Sequence, residues 1–201
     1  RHEAGPEGKV IGIDFTPAMI KKARLNAEKL GFNNVEFREG DIDDMPVNAN
    51  VADVIVSNCV LNLVPDKEKV VDEIFRVLKP GGHFSISDIV LVGQLPEALR
   101  KDAEMYAGCV AGAIQKADYL SHIERAGFQN ITIQKEKTII IPDDILNKYL
   151  SPTAVEDFKN GTTGIFSITV YADKPGSVQE KKKIKLSDLA SETNRGGSCC
   201  C

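Results

Sequence analysis

The sequence lacks the features that would place it in a membrane, in the secretory route or on nucleic acid. Its apolar runs all fall short of the roughly 20 residues that a membrane-spanning helix requires, so we expect no such segment. The polar start, from Arg1 to Gly8, does not resemble a secretory signal peptide, and the absence of an initial methionine suggests that the chain begins inside a longer protein. The formal net charge of −4, with lysines scattered apart from one late run, argues against a general nucleic-acid-binding protein.

A disulfide framework is also missing. Of the five cysteines, Cys59 and Cys109 lie in the body of the chain, whereas Cys199, Cys200 and Cys201 end it. An odd number of cysteines with this uneven distribution is a poor basis for disulfide pairing. We therefore expect a reducing, cytoplasmic setting. The thiols there could bind a soft element or pack as small hydrophobic side chains.

What is present is the composition of an ordinary globular domain. Of the 201 residues, 42% are hydrophobic and 27% are charged, which suits one domain with its own core plus a tail. From Lys174 onward, lysine, serine, glutamate and glycine dominate, and apolar residues are few. Because this composition is typical of a flexible segment, we predict a domain over residues 1–173 and a flexible, cysteine-ended tail over residues 174–201.

Apolar runs and helical spacings alternate along the predicted domain. Strands are predicted over residues 9–14, 35–39, 83–88, 131–141 and 165–172, with a further strand inside the stretch 51–63. Helices are predicted over residues 16–31, 66–78, 96–106, 118–127 and 142–150. This alternation indicates an α/β fold with a mainly parallel sheet covered on both faces. The close spacing of the last two strands predicts an antiparallel edge.

The stretch 51–63 combines a strand pattern with chemistry-bearing residues. Its apolar run is typical of a buried parallel strand, and it ends in Ser57 and Asn58, followed by Cys59. Ligands of open α/β sheets bind outside the carboxyl ends of the strands. Cys59 is therefore where such a protein would place its chemistry, although a buried core cysteine is the alternative.

An acidic residue, Asp14, ends the first predicted strand. A carboxylate there can accept hydrogen bonds from both hydroxyls of a ribose, and an exposed strand-end carboxylate is the alternative. The dinucleotide-binding pattern places a glycine-rich loop about 20 residues before this acid, which falls before Arg1. Gly5 to Gly8 fits a simple turn instead. The first strand and the glycine-rich loop are thus missing from this chain.

Several motifs now share one family resemblance, which covers about residues 9–173. They are Gly12-Ile-Asp14-Phe15, Glu39-Gly-Asp41-Ile42, Asp53 to Asn58, and Leu78-Lys-Pro-Gly-Gly82. This succession resembles a class I S-adenosylmethionine-dependent methyltransferase read from its second strand onward. The resemblance implies a Rossmann-like three-layer α/β sandwich, with a mostly parallel sheet and an antiparallel last strand.

Narrower motifs resemble one branch of that family, the arsenite methyltransferases, which are close relatives of the ubiquinone and menaquinone C-methyltransferases. They are Ser57-Asn58-Cys59-Val60 with Asn62-Leu63, Ser87-Asp88, and Gly108-Cys109-Val110-Ala111-Gly112-Ala113. Each cysteine alone would be a weak signal. The specific signal is the pair of cysteines, each of which lies inside its own motif.

The resemblance implies a set of cofactor contacts. Asp14 would hold the ribose of S-adenosylmethionine, and Phe15 would lie against the adenine. Asp41 and the backbone of Ile42 would bind the adenine edge, and Asn58 would lie beside the methionine portion.

It also implies that Cys59 and Cys109 are thiolate ligands of As(III), with a tail thiol such as Cys199 as a further candidate. Trivalent arsenic is soft and prefers sulfur, as soft metals do. The partners implied are arsenite or its glutathione conjugate and a thiol reductant, glutathione or thioredoxin, and a monomer is expected. His2, His83 and His122 do not cluster in the sequence and receive no role.

Two alternatives stay open. A C- or O-methyltransferase of the same fold would act on a quinone-type small molecule without needing the thiols. A non-catalytic metalloid-binding module would use the body and tail thiols without methyl transfer. The missing glycine-rich loop, and the missing amino-terminal region that supplies another cysteine in the family, leave cofactor binding by this chain as an open question.

Overall fold

A computed structural model describes residues 3–101, 110, 112–160 and 163–176. The chain opens with a small parallel sheet of two strands, β1 (Val10–Asp14) and β2 (Val35–Glu39). Helix α1 (Pro17–Lys29) connects them. Val10 pairs with Val35 and Asp14 with Glu39, so the carboxyl ends of both strands lie side by side.

A second sheet contains β3 (Ala52–Asn58), β4 (Leu78–Val92), β5 (Gln129–Thr138) and β6 (Gly164–Asp173). Its strand order is β3-β4-β6-β5. Strand β3 is parallel to β4, and β6 is antiparallel to both β4 and β5. The predicted antiparallel last strand is therefore confirmed, and it lies inside the sheet, with β5 at the edge.

The remaining elements are mostly helices. They are α2 (Lys67–Val77), α3 (Lys116–Arg125), α4 (Asp143–Tyr149), α5 (Pro152–Lys159), a short 3₁₀ helix (Leu61–Leu63) and a helical stretch at residues 97–101. None of the described helices is long and apolar enough to cross a membrane.

Two apolar cores lie on opposite faces of the second sheet. Alternate residues of a strand point to opposite faces, and β4 follows that rule: Ile86 and Val90 pack in one core, whereas Ile89 and Leu91 pack in the other. The first core includes buried side chains of α2 and α3, and the second includes those of α4 and α5. Helices on both faces of one sheet form the three-layer α/β sandwich that the sequence predicts.

Local sequence signals account for several helix ends. The Asp66 side chain accepts a 3.0 Å hydrogen bond from the amide of Lys69 and caps α2. Gly31 follows α1 with φ of +66°, a left-handed conformation that suits glycine. Thr16, the first residue of the predicted helix 16–31, is the N-cap of α1 but its side chain makes no capping hydrogen bond; its own amide donates to Asp14 Oδ1 over 2.7 Å.

Other boundaries differ from the predictions because distant parts of the chain determine them. Helix α3 begins at Lys116 rather than at Asp118. Strand β4 begins at Leu78, well before the predicted His83, since Leu78 pairs with Ala52 of β3 and the backbone of Lys174 hydrogen-bonds to Gly81 and Gly82. Helix α5 was not predicted.

The buried strand predicted within residues 51–63 is buried on one face only. Val54 is 49% exposed and Val56 is 75% exposed, whereas Ile55 packs against the first core. Within the described residues, β3 pairs only with β4. No other described strand pairs with the second edge of β3, and its apolar run, typical of an enclosed strand, has exposed valines on one face.

Candidate functional site

The site is built around the turn that follows β3, where Cys59 is the first residue. Cys59 has φ of +56°, in the left-handed region that residues other than glycine seldom adopt. Its amide donates a 2.8 Å hydrogen bond to the carbonyl of Ser87 on β4. The residue is partly buried and packs against the second core. Cys59 therefore lies at the carboxyl end of β3, where the sequence places it.

Asn62 holds the same turn from its other end. Its Nδ2 donates a 2.7 Å hydrogen bond to the carbonyl of Ile89, two residues beyond Ser87 on β4. The side chain is only 6% exposed, and its Oδ1 accepts no hydrogen bond from the described residues. The turn from Cys59 to Asn62 is thus attached to β4 at two points.

Asp88 lies on β4 between these two points and is fully buried. Burial raises the pKa of the Asp88 carboxyl to about 6, and the backbone amides of Ile89 and Leu61 together with the charge of Lys67 only partly oppose that rise. Its Oδ2 accepts no hydrogen bond within the part of the chain that the structure describes. A carboxyl group with a strongly raised pKa therefore lies one residue from the Cys59 attachment point on β4.

Two further polar side chains, those of Lys67 and Tyr119, interact electrostatically with Asp88. Lys67 at the start of α2 is 7% exposed; burial lowers the pKa of its ammonium group, although the charge of Asp88 acts in the opposite direction. Its Nζ donates to the carbonyl of Val64 over 3.1 Å. Burial raises the pKa of the Tyr119 phenol well above its usual value, and the charges of Asp88 and Cys59 add to this effect. Cys59 therefore shares a buried, electrostatically coupled region with these groups.

The residues predicted to bind the cofactor lie mainly at the first sheet. Asp14 ends β1 and is partly buried, and its Oδ1 accepts the amide of Thr16. Phe15, directly after it, is 62% exposed. The amide of Gly40 donates to the carbonyl of Asp14 over 3.1 Å, which brings the loop holding Asp41 to the end of β1.

Ile42 links this loop to the second sheet. Its side chain packs against the first core, which contains Leu61 of the turn after Cys59. Asn58, the last residue of β3, is exposed. The structure thus joins Asp14 and Asp41 at one sheet, places Asn58 and Cys59 at the other, and connects the two groups through Ile42.

The other two predicted thiols, Cys109 and Cys199, lie outside the described residues. Val110, the next described residue, is buried and accepts a 3.0 Å hydrogen bond from the amide of Ala113. In the described ranges, no group of three or more histidine, cysteine, aspartate or glutamate side chains could hold a metal ion.

Sequence reasoning gave no role to the buried polar groups around Cys59. Asn62 and Asp88 both lie in the motifs that resemble the arsenite methyltransferases. Asp88 also ends a predicted strand, and a polar residue at a strand end could have identified it as a candidate site residue. Lys67 and Tyr119 gave no such signal, because charge and aromaticity on a helix usually indicate a solvated or core-facing position.

Comparisons with protein families, curated proteins and solved structures all find methyltransferases. The family described as methyltransferase domain matches residues 1–127. The arsenite methyltransferase of Halobacterium salinarum is 42% identical over 160 residues, which are 77% of this chain and 41% of that protein. The arsenite methyltransferase of Aquipseudomonas alcaligenes is 38% identical over 154 residues, covering 73% of this chain and 44% of that protein. The chain thus spans less than half the length of these curated relatives.

Among solved structures, the arsenic (III) S-adenosylmethionine methyltransferase from Chlamydomonas reinhardtii is similar, with a TM-score of 0.67 and 30% sequence identity. The match covers 86% of this chain and 57% of that chain.

Proposed function

The chain belongs to the methyltransferase-domain family, and from that premise we propose that it forms part of an enzyme that methylates trivalent arsenic with S-adenosylmethionine as the methyl donor. The observation that supports this proposal best is the position of Cys59. Its thiol follows β3 at the carboxyl end of a parallel pair, and its amide is bonded to β4. The relatives named for arsenite methylation support the choice of substrate.

In this proposal Cys59 and Cys109 bind As(III) as thiolates, with a third thiol from the tail, such as Cys199, or from a small molecule completing the ligands. A soft, three-coordinate element suits thiolate ligands. Arsenite or its glutathione conjugate would be the substrate, and glutathione or thioredoxin the reductant.

The end of β1 offers groups that fit the cofactor. Asp14 uses Oδ1 for the amide of Thr16, and no hydrogen bond within the described ranges uses its Oδ2, which can accept from a ribose hydroxyl. The exposed ring of Phe15 can stack on a purine. Asp41 and the backbone of Ile42 would bind the adenine edge, and Asn58 the methionine portion.

The proposed reaction requires little acid–base catalysis by the protein. When bound, S-adenosylmethionine would supply a methyl group activated by its sulfonium charge: the arsenic lone pair would form the new bond to the methyl carbon as the carbon–sulfur bond breaks, and that bonding pair would remain on the leaving thioether sulfur. The protein contributes positioning, which can reduce a barrier by several kcal/mol. We assign residues 1–173 to the methyltransferase domain and residues 174–201 to a tail.

The test is an assay of the full-length protein with arsenite, glutathione and methyl-labelled S-adenosylmethionine. We expect labelled methylarsenicals from the parent, and a loss of about a hundredfold or more in Cys59→Ser. A matched control replaces Cys199, Cys200 and Cys201 with serine; retained activity at low arsenite would exclude arsenic capture by the tail thiols.

Two outcomes contradict the proposal. Methyl transfer to a quinone-type acceptor that is unaffected by Cys59→Ser would identify a small-molecule C- or O-methyltransferase. Tight arsenite binding without any methylated product would identify a non-catalytic metalloid-binding module.

A further inference from the structure

We infer that Asn62 is a positioning residue for the Cys59 thiol, fixing the turn that presents this thiol at the end of β3. The inference rests on the proposed function, because it concerns a thiolate proposed to bind arsenic. It assigns Asn62 no contact with substrate or cofactor; Asn62 acts through the backbone of the turn.

The first support is the geometry of the attachment. The amide of Cys59 donates to the Ser87 carbonyl over 2.8 Å, and Asn62 Nδ2 donates to the Ile89 carbonyl over 2.7 Å. Both acceptors are main-chain oxygens of β4, two residues apart. One bond alone would let the turn pivot, whereas two bonds to one rigid strand determine its orientation.

The second support is that apolar packing does not explain an asparagine at this position. Its side chain is only 6% exposed, and Oδ1 accepts no hydrogen bond from the described residues. A buried acceptor without a donor is unfavourable, and leucine, of similar size, would avoid that cost. The benefit of the amide is therefore its directed bond to Ile89, which an apolar side chain cannot make.

The third support is the backbone conformation that this bond maintains. Cys59 has φ of +56°, which is costly for a residue with a Cβ and persists only where neighbouring contacts impose it. Gly112 packs directly against the carbonyl of Asn62 and restricts the turn on that side. Without the Asn62 bond, Cys59 can relax to a negative φ, and its thiol then points in another direction.

The experiment uses the full-length chain with Cys199, Cys200 and Cys201 replaced by serine, so that tail thiols do not bind arsenite. Asn62→Leu is compared with Asn34→Leu as a matched control. Asn34 Nδ2 donates to the carbonyls of Gly5 and Gly8, and its Oδ1 is likewise buried without a partner, but it is bonded at the start of the chain rather than to the Cys59 turn.

Two properties are measured at a temperature where circular dichroism shows every variant to be folded. The first is the Kd for arsenite alone, by equilibrium dialysis. The second is the pH profile of iodoacetamide alkylation at Cys59, followed by mass spectrometry of its peptide. We expect Asn62→Leu to weaken arsenite binding at least tenfold and to shift the alkylation profile, and Asn34→Leu to change neither.

An arsenite Kd within twofold of the parent, with an unchanged alkylation profile, would overturn the positioning role. If Asn62→Leu does not fold, Asn62→Ala is measured instead, since it removes the Nδ2 donor without placing a bulky or charged group at this buried position, and the same results decide. If the protein fails to bind arsenite both with its tail thiols intact and with them replaced by serine, the proposed function is wrong, while the alkylation profile still tests the effect of Asn62 on Cys59.

Discussion

Gly112 lies so close to Asn62 that a Cβ added at position 112 would overlap the backbone carbonyl of Asn62. Both residues belong to motifs that share the arsenite methyltransferase resemblance, one following Cys59 and the other following Cys109. The structure thus shows the two cysteine motifs in direct backbone contact three residues beyond each cysteine.

This contact predicts that Gly112→Ala is destabilising. The obstructing atoms are backbone, so the turn or the segment must move, and overpacking of this kind costs about 1–3 kcal/mol. Urea denaturation should show a lower free energy of unfolding by that amount. The matched control is Gly176→Ala, where a Cβ would meet no atom within 4 Å; equal midpoints for both variants would contradict the prediction.

The raised pKa of Asp88 predicts a dependence of stability on pH. The carboxyl has a pKa of about 6 when folded, compared with the ordinary value of 3.8. Between these values the folded state binds more protons than the unfolded state, so the stabilisation is complete below pH 4 and is lost as pH rises through 6. The difference amounts to about 3 kcal/mol, with Lys67, Tyr119 and Cys59 as the ionisable neighbours.

Asp88→Asn should remove this dependence. Asparagine keeps an oxygen for the amide of Ile89, which donates to Asp88 Oδ1 over 3.3 Å, and it bears no charge to desolvate. We expect the variant to match the parent near pH 4 and to exceed its stability at pH 7, as measured by urea denaturation across that range. Asp53→Asn, at a carboxylate whose side chain is 77% exposed, serves as the control; parallel profiles for the parent and Asp88→Asn would refute the prediction.

At the end of β1, Asp14→Asn tests the cofactor assignment. Asparagine keeps an oxygen for the amide of Thr16, so the start of α1 should persist, but it loses the charged acceptor for a ribose. Hydrogen bonds to charged groups contribute about 1.5–3 kcal/mol, so calorimetry on the full-length protein should show affinity for S-adenosylmethionine reduced at least tenfold. An unchanged affinity would exclude Asp14 from the cofactor site.

Local sequence patterns were sufficient for much of the fold. The cap at Asp66 and the left-handed Gly31 involve only residues within one turn of the helix that each borders, and both lie at the bounds predicted for those helices. The apolar runs of β1, β2 and β6 likewise identified strands, and alternation with helices indicated the α/β sandwich.

Features that depend on distant partners were not predictable in this way. Strand β4 begins early because Leu78 pairs with Ala52 of β3 and because Lys174, far along the chain, bonds to Gly81 and Gly82. Val54 and Val56 are exposed because the described part of the chain places no strand or helix over them, although their sequence pattern is that of an enclosed strand.

The sequence by itself determined which chemical groups stand at the strand ends: a carboxylate at Asp14, an amide at Asn58 and a thiol at Cys59. These depend only on where an apolar run stops. The tertiary structure decided the environment of those groups. It buried Asp88 and raised the pKa of its carboxyl, and it directed Asn62 toward Ile89, because desolvation and hydrogen-bond direction depend on atoms that packing brings together from distant parts of the chain.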